Sequence, residues 1–254
     1  MRRHIFRALV ALALVLPAVA GFALAANDVS IDVHGGLSIP DIRGSQTDIY
    51  SRNFTSREGP YFGLTLEKTV TPLFSIVAQL NFTSQGGKRS GMQPITMDIG
   101  MPLPPDTILY GNFHNETILD YLEVPVLGRF SFGHGRLRFF LNAGPYVGVL
   151  LRAKAVTKGS SLIYMDEAGT IPIIDTPVSF DAKTNVKDSL KSTNIGLYGG
   201  GGLRYSLGPG DLIFEAHFQL GLTTIQRDIA TSGQSQTGAV VISLGYSLAL
   251  GRKG

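Results

Sequence analysis

Eight stretches of this chain alternate apolar and polar side chains with a period of two, and their polar sets contain ionised residues. In PYFGLTLEK, Phe62, Leu64 and Leu66 alternate with Tyr61, Thr65 and Glu67. In YLEVPVLGRF, Leu122, Val124, Val126 and Phe130 alternate with Glu123 and Arg129. The same pattern runs through DVSIDVHGGLSI, PLFSIVAQLNFTS, RLRFFLNAGPYVGVLLR, NIGLYGGGGLRYSLG, DLIFEAHFQLGLTTI and GAVVISLGYSLAL. A period of two places alternate side chains on opposite faces of a β-strand. One face of every stretch is therefore nearly pure hydrocarbon. The other carries Asp32, Glu67, Glu123, Arg129, Arg138, Arg204 and Glu215, together with Asn142, Tyr146 and Arg152.

The run Gly199–Gly202 invites comparison with a phosphate-cradling loop. Such a loop needs a strand, a turn and an amphipathic helix behind it. Here the alternation continues through the glycines, from Ile195 and Leu197 to Leu203 and Tyr205, and no Lys-Ser or Lys-Thr follows. These glycines are strand residues, placed where crowding inside a narrow barrel must be relieved or where the strand bends.

The connections are of two kinds. TVTP, GHG and GPGD join stretches 2–3, 4–5 and 6–7 by short turns, whereas the other connections are long and polar. Short turns at one end, long loops at the other, an even strand number and an apolar-out, polar-in alternation describe a transmembrane barrel. A soluble barrel needs apolar side chains inside. The expected fold is thus all-β: an eight-stranded antiparallel up-and-down transmembrane β-barrel with short periplasmic turns, long extracellular loops and a periplasmic N-terminus. The last stretch, Ser243–Leu250, also fits the spacing of a C-terminal barrel-assembly signal, with Gly245, Leu248 and Leu250 in place. It uses leucines where aromatics are usual, and Gly-Arg-Lys-Gly follows it.

Compartment and charge agree with this. Arg2, Arg3 and Arg7 precede the apolar run 8–22, and Ala23-Leu24-Ala25 follows it, the layout of a secretory signal peptide over 1–25. The barrel domain is then 26–254. The formal charge of +3 resides in those arginines, so the remainder is near neutral and nothing suggests a nucleic-acid partner. Cysteine is absent, which excludes disulfide scaffolds, thiol catalysis and thiolate metal sites.

FTSQGGKR (82–89), YLEVPVLGRF (121–130), LNAGPYVGVLLRAK (141–154), KSTNIGLYGGGGLRY (191–205) and EAHFQLGL (215–222) resemble the PorT-like outer-membrane β-barrel family. The resemblance extends over nearly all of the chain after residue 25. It implies a bacterial outer-membrane location and little about activity; outer-membrane lipid and, from the Ser243–Leu250 signal, the barrel-assembly machinery are the expected partners.

Candidate chemistry is sparse. His217 and Glu215 share a face two residues apart and would need a serine across the lumen to form a hydrolase site. His34 is the other inward histidine, and two histidines without a third ligand make a poor zinc site. No cofactor, metal or catalytic residue is assigned. The seven charged residues named above are expected instead to form a structural polar network in the lumen. Counting outward from Pro209-Gly210 sets Arg204 opposite Glu215, and similar counting sets Arg129 opposite Arg138. The loops 84–115 and 153–192 mix Met, Ile and Pro with polar residues and are the candidate surface for an extracellular partner. The expected role is a non-enzymatic outer-membrane protein, structural or loop-presenting. The alternatives are a membrane-embedded lipid hydrolase and a soluble lipocalin-like carrier.

Overall fold

A computed structural model describes residues 28–44, 49–50, 52–95, 104, 107–229 and 233–250. The expected signal peptide over 1–25 lies outside the described residues. Eight long strands run up and down: β1 (Val29–Gly44), β2 (Gly59–Thr71), β3 (Phe74–Pro94), β4 (Tyr110–Phe132), β5 (Leu137–Lys158), β6 (Thr193–Ser206), β7 (Asp211–Gly221) and β8 (Ser235–Leu250). Each pairs antiparallel with the next, and β8 pairs with β1 from Val29↔Leu250 to Gly44↔Ser235. Closure leaves the ring without an edge, so every backbone N–H and C=O at lipid depth can be satisfied within the sheet.

The alternation decides the two surfaces. Side chains such as Val33, Phe62, Leu64, Phe130, Leu141, Phe218 and Leu244 lie outward and are exposed on the wall. Their polar neighbours point inward and are buried, Glu123 and Asn81 completely. This inverts a soluble protein, and it overturns the soluble-carrier alternative: the lumen is packed with side chains that are mostly polar, with Val77, Leu127, Ile213 and Val241 among them, and the outer wall is hydrocarbon.

The strands differ in length for a reason. A tilted strand crosses a bilayer in about 9–11 residues. β3, β4 and β5 run for 21, 23 and 22 residues, so each rises well above the lipid. Most of the expected loop 84–115 is therefore strand: Ser84–Pro94 belongs to β3 and Tyr110–Asn115 to β4. The pairing is continuous from Ser84↔Asp120 to Pro94↔Tyr110. Above the lipid the outward face no longer needs hydrocarbon and the buried side mixes Leu119 and Phe113 with Gln85, Arg89 and Gln93, so the sequence there carries no period-two contrast.

The expected loop 153–192 is also ordered at its base, where β5 continues to Lys158. Beyond it, Ser160–Ser161 pairs with Val178–Ser179, and Ala182–Asn185 adds to the outer edge of β5. Leu109, Phe113, Ile163 and Phe180 are buried together, with Ile95, Ile173 and Ile174 packed against them. The extracellular end thus has an apolar core of its own.

The candidate lumen site

The inward charges of the periplasmic half meet around Arg129, which is 1% exposed. Its Nη1 lies 3.0 Å from Glu67 Oε2 and its Nη2 lies 3.1 Å from Glu215 Oε2. The guanidinium also covers the ring of Phe140, 4.2 Å from the centroid. Arg204 donates to the same Glu67 oxygen, and Asn142 Nδ2 donates to Glu215 Oε1 at 3.1 Å. Glu67, Arg129, Arg204 and Glu215 therefore form one connected group reaching across the barrel.

Two expected pairs are corrected. Glu215 lies opposite Gly202, and Arg204 lies opposite Ile213. Gly208 takes a left-handed backbone conformation (φ 99°), and Leu207 N–H donates to the Gly210 carbonyl, so the turn is centred on Gly208-Pro209. Moving the centre by one residue moves the register by two. Both side chains keep their inward face but change partners. Arg129 is likewise opposite Asn142, not Arg138: Phe132 pairs with Phe139, so the β4–β5 hairpin is centred on Gly135-Arg136, with Gly133 and Gly135 left-handed.

Arg138 instead faces Arg204 across β5 and β6. The carboxylate between them is Asp211, with Oδ2 3.3 Å from Arg138 Nη2 and 3.8 Å from Arg204 Nε. Asp211 was missed in the sequence although its parity (211, 213, 215, 217) matches Glu215. It sits beside the turn, where strand alternation is easily disregarded. Asp32 and Glu123 lie outside this group. Asp32 faces His34 Nδ1 at 3.1 Å, while Glu123 accepts from Gln85 Nε2 and from the Tyr198 hydroxyl, both at 2.8 Å. Arg152 does not face the lumen at all. Between Asp120↔Arg152 and Tyr121↔Leu150 the register shifts by one residue, and Leu151 is the extra residue on β5. Such a bulge switches the parity of the strand beyond it.

Above the charged group, rings cross the lumen in a chain. His34 stacks on Tyr61, Tyr61 meets His217 edge-on, His217 stacks on Tyr198 and Tyr198 meets Tyr146, with centroids 4.7–5.4 Å apart. Higher still, Leu119, Tyr121, Leu150, Ala153, Leu190 and Ile225 form an apolar cap. A cavity of about 10 Å³ beside Asp32, His34, Tyr61 and Glu215 has room for about one water molecule. Purified protein in planar bilayers is therefore expected to show no stable open pore. Reproducible large conductance steps would contradict the sealed lumen.

The arrangement also bears on hydrolysis. His217 Nδ1 lies 3.2 Å from Glu215 and His34 Nδ1 lies 3.1 Å from Asp32. Among the described residues neither imidazole has a serine bonded to it. Ser90 Oγ is 2.7 Å from His114 Nδ1, but that histidine has no carboxylate partner among the described residues. Serine, imidazole and carboxylate are thus not assembled in any one place in the described part of the chain.

The family described as "Outer membrane protein beta-barrel domain" matches residues 21–227. No curated protein matches the chain. Among solved structures, Ail, the attachment invasion locus protein of Yersinia pestis, is 11% identical, with 87% of this chain and 99% of that one covered at a TM-score of 0.40. The Neisserial surface protein NspA is 11% identical over 87% and 97%, at 0.39. The outer membrane protease OmpT of Escherichia coli is 12% identical over 89% and 97%, at 0.33. With its closed eight-stranded wall, apolar outside and polar inside, the chain belongs to the outer membrane protein β-barrel domain family, and its location is the bacterial outer membrane.

Proposed function

We propose that the protein is a non-enzymatic outer-membrane anchor whose sealed barrel holds an ordered extracellular platform for a protein partner. Within the family, the PorT-like motifs quoted above are part of this reading. The observation that carries it is the apolar core of Leu109, Phe113, Ile163 and Phe180 above the membrane. Ordering a long loop costs conformational entropy, and loops on a rigid scaffold commonly carry recognition. The core supports a tip that exposes Met165 and Ile171, each 54% accessible, with Val178 nearby at 39%.

The tip is held in shape by Asp166. Its carboxylate accepts from the backbone N–H of Ile171 at 2.7 Å and from Thr170 N–H and Oγ1. Desolvation would raise this carboxyl, but those donors outweigh it and hold it below its usual range. Met165 N–H closes the same turn on the Ile171 carbonyl at 3.0 Å. An apolar tip at the end of a structured hairpin suits a protein surface better than a dissolved small molecule.

The test is cross-linking on intact cells. A discrete adduct is expected with the native chain, and Met165→Ser combined with Ile171→Ser should remove it. Heat-modifiable mobility of the barrel should survive, because stability resides in the closed ladder. An adduct indifferent to both substitutions, or no adduct, would refute the platform reading.

A further inference from the structure

The outer wall changes chemistry within one row of residues. Phe82, Leu122 and Val149 lie side by side across β3, β4 and β5, and Phe62 stacks on Phe82 with centroids 4.8 Å apart. The next outward row is Ser84, Asp120 and Arg152. Ser84 Oγ donates to Asp120 Oδ1 at 2.7 Å and Arg152 Nε to Asp120 Oδ2 at 2.5 Å. The bulge at Leu151 makes this row possible. Without the parity switch, Arg152, Lys154 and Lys158 would point into the lumen. With it, Ala153 turns inward, 1% exposed, and the three cations turn out. Lys187 Nζ donates to the bulged Leu151 carbonyl at 2.8 Å and secures it.

Cross-strand partners share a face, so the rows above can be followed. Lys154 lies beside Ile118 and Asn185. Lys88, Glu116, Val156 and Lys183 form the next row, and Ser90, His114 and Lys158 the one above it. The acids on this face are engaged: Asp120 with Arg152, Glu116 with Arg57 at 3.0 Å, and Asp181, beside Lys158, with the Gly159 N–H at 2.9 Å. Lys88, Lys154, Lys158 and Lys183 make no ion pair among the described residues. At the top row a cleft of about 610 Å³ opens, lined by Ser90, Asn112, His114, Lys158 and Ser160 among others.

We propose that this face binds the headgroup of a phosphorylated glycolipid of the outer leaflet, with phosphate on Lys154, Lys158 and Lys183 and sugar hydroxyls in the cleft. Position supports this, because a lipid whose chains lie on Phe62, Phe82 and Leu122 has its headgroup at Arg152. Charge supports it, since basic side chains just beyond the hydrocarbon attract anionic headgroups. Height selects the lipid class. Arg152 to Lys158 spans roughly 20 Å along the strand, or about 15 Å of height at a tilt near 40°. A phospholipid headgroup layer is only about 5–7 Å deep. The upper lysine and the cleft, in which Ser90, Asn112 and Ser160 stand among the apolar Met92, Phe113 and Leu162, are out of its reach but within that of a phosphate-bearing saccharide.

The full-length chain, folded in detergent, is titrated with three probes and read by native mass spectrometry. The probes are an acylated glucosamine disaccharide carrying two phosphates, its dephosphorylated form, and phosphatidylglycerol. The diphosphorylated probe is expected to bind at least about tenfold more tightly than either of the others. The combination Lys154→Gln, Lys158→Gln and Lys183→Gln should abolish that preference, whereas Arg136→Gln in a periplasmic turn should keep it. If the triple variant fails to fold, Lys158→Gln alone, on an exposed side chain, should still weaken the preference. Equal binding of the dephosphorylated probe overturns the phosphate assignment. Phosphatidylglycerol binding as tightly, and as dependent on Lys158, overturns the choice of a glycolipid. A preference indifferent to the lysines overturns the site.

Discussion

Replacing Arg129 with methionine is expected to destabilise the barrel by about 3–5 kcal/mol, the cost of breaking a buried ion pair by removing one partner. Arg129 neutralises Glu67 and Glu215 together, and all three side chains are less than 10% exposed. The two carboxylates do not suffer equally. Glu67 keeps Arg204, whereas among the described residues Glu215 keeps only Asn142 and the imidazole of His217. Adding Glu215→Gln to the variant should therefore recover more stability than adding Glu67→Gln, a coupling that a double-mutant cycle isolates. Urea titration followed by heat-modifiable mobility, or by the fluorescence of the nine tyrosines in this tryptophan-free chain, measures it. A loss below about 1 kcal/mol, or a better rescue by Glu67→Gln, would show that the group does not stabilise the wall as the geometry implies.

Valine at Gly202 or Gly200 is expected to destabilise the barrel by about 3 kcal/mol or more, and the double variant should fail to close. Overpacking a core commonly costs 1–3 kcal/mol when side chains can shift. Here the obstacles include backbone. A Cβ at Gly202 would collide with the Phe214 carbonyl oxygen and the Phe140 ring, and one at Gly200 with the Ala216 carbonyl oxygen and Cβ of His217. The space is already taken by the ring that covers Arg129 and by one member of the aromatic chain. Gly199 is the internal control. It lies on the lipid face opposite Phe218, and a Cβ there meets nothing within 4 Å. Gly199→Val should fold with near-native mobility. A folded Gly200→Val/Gly202→Val barrel, or a misfolded Gly199→Val, would refute this division of the glycine run.

Much of this was legible before any coordinates. Alternation through 31–39, 60–68 and 194–207 names the lipid face, because a bilayer demands hydrocarbon at every second position. The unequal connections disclose the two ends, and the inward set, including Glu67, Arg129, Arg204 and Glu215, follows from parity. Parity is a local property: it depends only on the covalent geometry of an extended chain.

Partners are not local. Arg204 and Glu215 were on the right face and in the wrong pair, because one left-handed glycine moves a turn centre and with it two rungs of register. The Glu67–Arg129–Glu215 bridge joins β2, β4 and β7, which no counting along a hairpin can connect. A single extra residue at Leu151 turned Arg152 outward, and no residue type there announces a bulge. Above the membrane the outward face is released from the need for hydrocarbon, so β3, β4 and β5 continue as strands without the pattern of the lipid wall to show it. What the sequence determined by itself is which side of the wall each residue occupies, since lipid and lumen impose opposite chemistry at successive positions. Which charges meet across the lumen, and where the wall becomes an extracellular surface, were decided by barrel closure, register and the bulge, which exist only once all eight strands are paired.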